Sequence, residues 1–112
     1  MIKTILLNIF FVSTFVIASA QTESWPKFKS LNDRANEQTN KMKLKLQLTP
    51  KQMEEVFIIN FNMDNKYDLL IQNQDGNDRK FQRSINNIGI QRDSLMEGVL
   101  TDSQFFQYRK MR

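Results

Sequence analysis

From Phe28 to Met111 the apolar positions recur three and four residues apart, the period of a helix with one buried face. Nowhere do they alternate between hairpin turn signals in the way paired strands require. Phe28, Leu31, Ala35, Met42 and Leu46 fall within about 60° of one another on a helical wheel, which predicts a first helix over about 28–46. Met42, Leu44, Leu46 and Leu48 alternate with Lys and Gln and read as a strand in isolation, but the longer stripe that contains them is helical. A second helix is predicted from Pro50 to about Gln74, with Met53, Val56, Ile59, Met63, Tyr67, Leu70 and Ile71 on a core face about 120° wide. Phe57, Ile58, Phe61 and Leu69 lie on a second arc beside that face, and Asn60, Asp64 and Asp68 run as a polar diagonal between the two. A turn at Gln74-Asp75-Gly76-Asn77-Asp78 leads into a third helix, about Arg79 to Val99. Its narrow seam is Phe81, Ile85, Ile88, Leu95 and Val99, with Arg92 in the missing step. A short fourth helix from Asp102 carries Phe105, Phe106, Tyr108 and Met111.

The first twenty residues follow a different grammar. They hold 14 apolar side chains and a single charge, Lys3, and end in Ala18-Ser19-Ala20 after the apolar run Ile5 to Ile17. A positive start, an apolar middle and small residues at a cleavage site predict a signal peptide over 1–20, cut after Ala20. The apolar run is shorter than the ~20 residues that span a bilayer, and no later segment is apolar enough to do so. Without a Cys after that run there is no lipid attachment point, so residues 21–112 are expected as one exported helical domain, with no membrane span after cleavage.

Composition narrows the chemistry. The chain has no Cys and no His, three Gly and two Pro, which excludes disulfide scaffolds, thiolate or imidazole metal sites and His-assisted nucleophiles. Glu54-Glu55, or Asp64 with Asp68 on one helical face, are the only candidate carboxylate pairs, and nothing polar converges on them, so no enzyme activity, cofactor or metal is expected. A domain of this size buries only about 60–65% of its unfolded surface. Without disulfides, a second copy of the chain is a natural source of further burial. Charge is segmented: residues 21–51 carry a net +4, residues 52–78 a net −5 and residues 79–112 a net +4. An acidic middle helix between basic neighbours favours antiparallel packing among them or across a dimer, and the interspersed cations do not form a nucleic-acid footprint.

The most specific signal occurs twice. Leu48-Thr49-Pro50-Lys51-Gln52-Met53 and Leu100-Thr101-Asp102-Ser103-Gln104-Phe105 are each a complete helix start. The Thr hydroxyl accepts from the backbone N–H three residues on, the Gln side chain reaches back to the Thr N–H, and the flanking apolar pair forms a staple. Pro50 at the first helical position loses no hydrogen bond, and Asp102 favours the positive end of the helix dipole.

Leu48-Thr49-x-x-Gln52 and Leu100-Thr101-x-x-Gln104 resemble the paired LTxxQ motifs of the Spy/CpxP family of bacterial periplasmic proteins, over about residues 40–112. The resemblance implies an all-α fold of about four helices, a long bent hairpin that pairs into a thin, cradle-like antiparallel homodimer. It also implies ATP-independent chaperoning of unfolded or misfolded envelope proteins in the periplasm under envelope stress. The alternative is a regulator that binds the periplasmic sensor domain of an envelope-stress kinase, or another helical protein-interaction module. Metal-responsive relatives use His-bearing segments, which this chain lacks, and its fourth helix is short.

A holdase needs apolar surface that clients reach and charge that speeds their encounter. Phe57, Ile58, Phe61 and Leu69 are the expected client-binding side chains, with Arg79, Lys80 and Arg83 attracting acidic client segments. Met42, Met53, Met63, Met96 and Met111 are candidates for an adaptable contact surface. Burial of Phe57 and Phe61 in a dimer interface or against the first helix is the competing expectation.

Overall fold

A computed structural model describes residues 29–112; the expected signal peptide and Phe28 lie outside the described residues. Four helices follow one another: α1 (Leu31–Leu46), α2 (Pro50–Gln72), α3 (Asp78–Val99) and α4 (Asp102–Met111), and no strand occurs among the described residues. The fold class is all-α. The first helix begins at Leu31 rather than 28, because Ser30 takes the N-cap position and its hydroxyl accepts from Asp33 N–H at 3.1 Å. Gln47, with φ 54°, ends α1 in the left-handed conformation and reverses the chain into the first Leu-Thr motif. The second turn closes around Gly76 (φ 86°), where Asn77 N–H bonds Asp75 Oδ1 at 3.1 Å and the Asn77 side chain caps α3 by accepting from Lys80 N–H.

Helix α2 is central, packed by α1 on one side and α3 on the other, both antiparallel to it, while α4 folds back onto α1 and α3. The reason lies in the two faces of α2. Together its apolar face and its polar diagonal are more surface than one neighbour can cover. The core gathers at the end where α1 stops, α2 starts and α4 returns: Met42, Leu46, Leu48, Val56, Ile59, Met63, Met96, Leu100 and Tyr108. Away from it burial gives out, and no side chain between Asn65 and Leu95 is buried. The far ends of α2 and α3 therefore form a thin arm.

Several expectations change. Tyr67 and Ile71, read as core, are 37% and 45% exposed, because on the arm α1 supplies only its first turns and α4 lies at the other end. In α3 it is Met96 that is fully buried, whereas Leu95 is 41% exposed. Helix α4 covers the flank of α3 that carries Asp93 and Met96, which rotates the buried face away from the heptad seam toward that flank. Most of the methionine surface is taken up within the fold: Met42, Met63 and Met96 are core, and Met53 and Met111 pack against it. Their flexible thioethers fill an irregular four-helix junction.

Candidate functional site

Both predicted capping boxes form. Thr49 Oγ1 accepts from Gln52 N–H at 3.1 Å and Gln52 Oε1 accepts from Thr49 N–H at 3.0 Å; Thr101 and Gln104 repeat the pattern at 3.2 and 3.0 Å. The structure adds what no local pattern carries, because the two boxes meet. Gln52 Nε2 donates to Gln104 Oε1 at 2.7 Å, and Gln104 Nε2 donates to Gln52 Oε1 at 3.1 Å. Each amide also reaches the end of another helix, Gln52 Nε2 to the Val99 carbonyl at 3.3 Å and Gln104 Nε2 to the Leu46 carbonyl at 3.1 Å. One pair of side chains thus satisfies donors at two helix starts and acceptors at two helix ends. Leu48 and Leu100 are buried beneath it, with Met53 and Phe105 packed on the same cluster as the staples require. The six motif residues build a clasp that locks four helices together.

A second set of polar contacts runs along α2. Asn60, almost wholly buried, donates to Thr39 Oγ1 at 3.1 Å, and Thr39 in turn donates to the Ala35 carbonyl at 2.7 Å. Asp64 accepts from Arg92 Nη2 of α3 at 2.9 Å and from Gln38 Nε2 of α1 at 3.4 Å. Asp68 pairs with Arg34 of α1, and that hydrogen bond raises the Arg34 guanidinium above its ordinary pKa. The polar diagonal is therefore a ladder of ties between helices, and polar side chains do converge on its carboxylate pair, Arg92 and Gln38 on Asp64 and Arg34 on Asp68. Arg92 fills the missing step of the α3 seam because Asp64 faces it. Asp64 Oδ2 and Arg34 Nε are buried with no hydrogen-bond partner among the described residues, which costs part of what these rungs contribute. On α3, Asp93 accepts from the buried Tyr108 hydroxyl at 2.9 Å and pairs with Arg112 at 2.6 Å. Burial first, then the bond to Asp93, pushes the Tyr108 phenol well above its usual range.

The expected client-binding residues divide by position. Phe57 and Phe61 are half-buried and pack on each other with centroids 5.9 Å apart, so they are in part structural. Ile58 and Leu69 are 56% and 47% exposed. They lie on one face of α2, since eleven residues are close to three helical turns. Leu69 also lines a groove between α2 and α3, with Leu70 and Ile88. Arg79, Lys80 and Arg83 are exposed near the start of α3, where Lys80 makes a loose pair with Asp75 at 3.9 Å. Arg79 and Lys80 lie beside Asp78 in the first turn of α3, an end where the helix dipole does not favour cations. The structure thus brings Leu69 and the cations to the arm and leaves the Phe57–Phe61 pair nearer the core. Exposed Tyr67 and Ile71 join the arm's apolar surface; sequence reading missed them because their wheel positions match those of true core residues.

No protein-family model, curated protein or solved structure matches this chain.

Proposed function

We propose that this protein is an ATP-independent holdase of the bacterial periplasm that binds unfolded or misfolded envelope proteins along its α2–α3 arm. The observation that carries this reading is the clasp. Two LTxxQ motifs, similar to those of Spy/CpxP proteins, meet through Gln52 and Gln104 and secure one end of the molecule. The other end is left as a thin arm with Tyr67, Leu69 and Ile71 open to solvent, and Ile58 is exposed nearer the core. A rigid base and an apolar, weakly packed arm suit varied partners, because exposed apolar side chains supply non-directional attraction. Arg79, Lys80 and Arg83 add long-range attraction for acidic segments. Export by residues 1–20 and pairing of two copies belong to the same proposal.

The test is light scattering of a reduced, aggregating client with increasing amounts of the purified protein and no nucleotide. Dose-dependent suppression near stoichiometric ratios supports the holdase. A folded, helical protein that suppresses nothing overturns it and directs the search to one specific partner, such as the periplasmic domain of a sensor kinase.

A further inference from the structure

Helices α1 and α3 both pack on α2 with their backbones apart, Arg92 Nη1 reaches across the interval toward Gln38 Oε1 at 3.5 Å, and α4 folds over it. The result is an open groove of about 340 Å³, to which every helix contributes. Asn60 of α2 lines it, Met42 stands on the α1 side, and Tyr108 and Met111 of α4 supply further apolar surface. The volume is that of a small-ligand site, where such sites begin at roughly 300 Å³.

Two observations say what the groove accepts. The first is Gly89, on its α3 wall. A glycine inside a helix is destabilising relative to alanine, and close packing is the usual reason to keep one. Here a Cβ would meet no atom within 4 Å. Gly98 is also unobstructed, but it lies in the last turn of α3, away from the groove. The smallness of Gly89 therefore serves no contact within the fold, and its effect is to widen the groove.

The second observation is charge. Arg92 is paired with Asp64 and Arg112 with Asp93, which leaves Lys41 as the lining cation without an ion-pair partner among the described residues. Glu37, one turn before it, is ion-paired with Lys29 and also feels the Lys41 charge. A positive charge without an ion pair beside a mainly apolar groove matches a monoanion with an apolar body.

We propose that the groove between α1, α3 and α4 binds an aliphatic monocarboxylate, a medium-chain fatty acid, with its carboxylate at Lys41 and its chain along Met42, Tyr108 and Met111 past Gly89. This site lies on a different part of the molecule from the exposed Ile58–Leu69 face and does not depend on the holdase reading.

The experiment is isothermal titration calorimetry of the purified protein with sodium dodecanoate below its micellar concentration. One molecule binds per chain. Gly89→Leu, which fills the groove, and Lys41→Glu, on the exposed surface of α1, each weaken binding at least tenfold with helicity unchanged by circular dichroism. Methyl dodecanoate, which lacks the charge, binds at least tenfold more weakly than the acid, and Ile58→Ser leaves affinity unchanged. If Gly89→Leu fails to fold, Lys41→Glu and the ester decide. Absence of binding, equal affinity for the ester, binding insensitive to Lys41→Glu, or preference for a peptide carrying an apolar C-terminal residue overturns the proposal.

Discussion

The side chains of Gln52 and Gln104, 52 residues apart, hydrogen-bond to each other in both directions while each still closes the capping box of its own helix. A surface cap stabilises one helix start. This pair also ties together the chain reversals that lead into α2 and α4, so the two copies of the motif act as one structural unit. That reciprocity makes their energies non-additive.

Gln52→Ala and Gln104→Ala should each lower stability by about 2 kcal/mol, since each removes a cap bond, takes the hydrogen bonds between the two amides from its partner and leaves a helix-end carbonyl unsatisfied. Thr49→Ala, which removes only the cap, should cost about 1 kcal/mol. The double variant should cost less than the sum of the singles, by on the order of 1 kcal/mol. Urea unfolding of the four proteins measures this coupling, and strict additivity would show that the two amides act independently.

Asp64 has a side chain only 8% exposed, and its charge is offset by Arg92 across the α2–α3 contact. Arg92→Met should therefore destabilise by about 3 kcal/mol, because it strands a buried carboxylate. Adding Asp64→Leu should recover most of that loss, as an apolar pair has no charge to desolvate. Thermal unfolding of the single and double variants at neutral pH tests both statements.

The fold favours the neutral form of Tyr108, whose pKa is raised from its ordinary 10.0 by burial and by the bond to Asp93. The associated stability is fully present below about pH 10 and is lost as the pH rises beyond it. Tyr108→Phe should cost about 1 kcal/mol at neutral pH through the lost bond to Asp93. It should also flatten the alkaline fall in stability relative to the parent. Unfolding midpoints measured across the alkaline range decide the point, and an identical decline in both proteins would assign that fall to other groups.

Ile58 and Leu69 are the exposed members of the expected client surface, whereas Phe61 is half-buried. Ile58→Ser with Leu69→Ser should reduce aggregation suppression several-fold and change stability by no more than about 0.5 kcal/mol per site. Phe61→Ser should cost about 2 kcal/mol, because it removes ring packing against Phe57 as well as surface. Light scattering together with circular dichroism separates the two effects. Unchanged suppression by a folded double variant would remove this face from client binding.

Much of the architecture was legible along the chain because its determinants are local. The helix starts at Pro50 and Asp102 are written in Thr-x-x-Gln, and both act within one turn. The turn at Gly76 requires a positive φ that glycine adopts freely. The stripe Ala35, Met42 and Leu46 needed only the 3.6-residue period to be recognised as buried. The acidic character of α2 between basic neighbours left open partners within the chain or across a dimer, and Arg34–Asp68 and Arg92–Asp64 supply them within the chain.

Other features depend on how far each helix is covered, and a helical wheel does not contain that information. Tyr67 and Met63 share a face of α2, yet one is exposed and the other buried, because only the clasp end is closed by α4. Met96 rather than Leu95 enters the core for the same reason. The meeting of Gln52 with Gln104, and the groove beside Gly89, arise where helices distant in sequence are brought together. Periodicity and caps determined the helices, since those depend on neighbours within a turn. Only the tertiary structure decided which faces were covered and which polar groups found partners across helices, because both depend on the third dimension of packing.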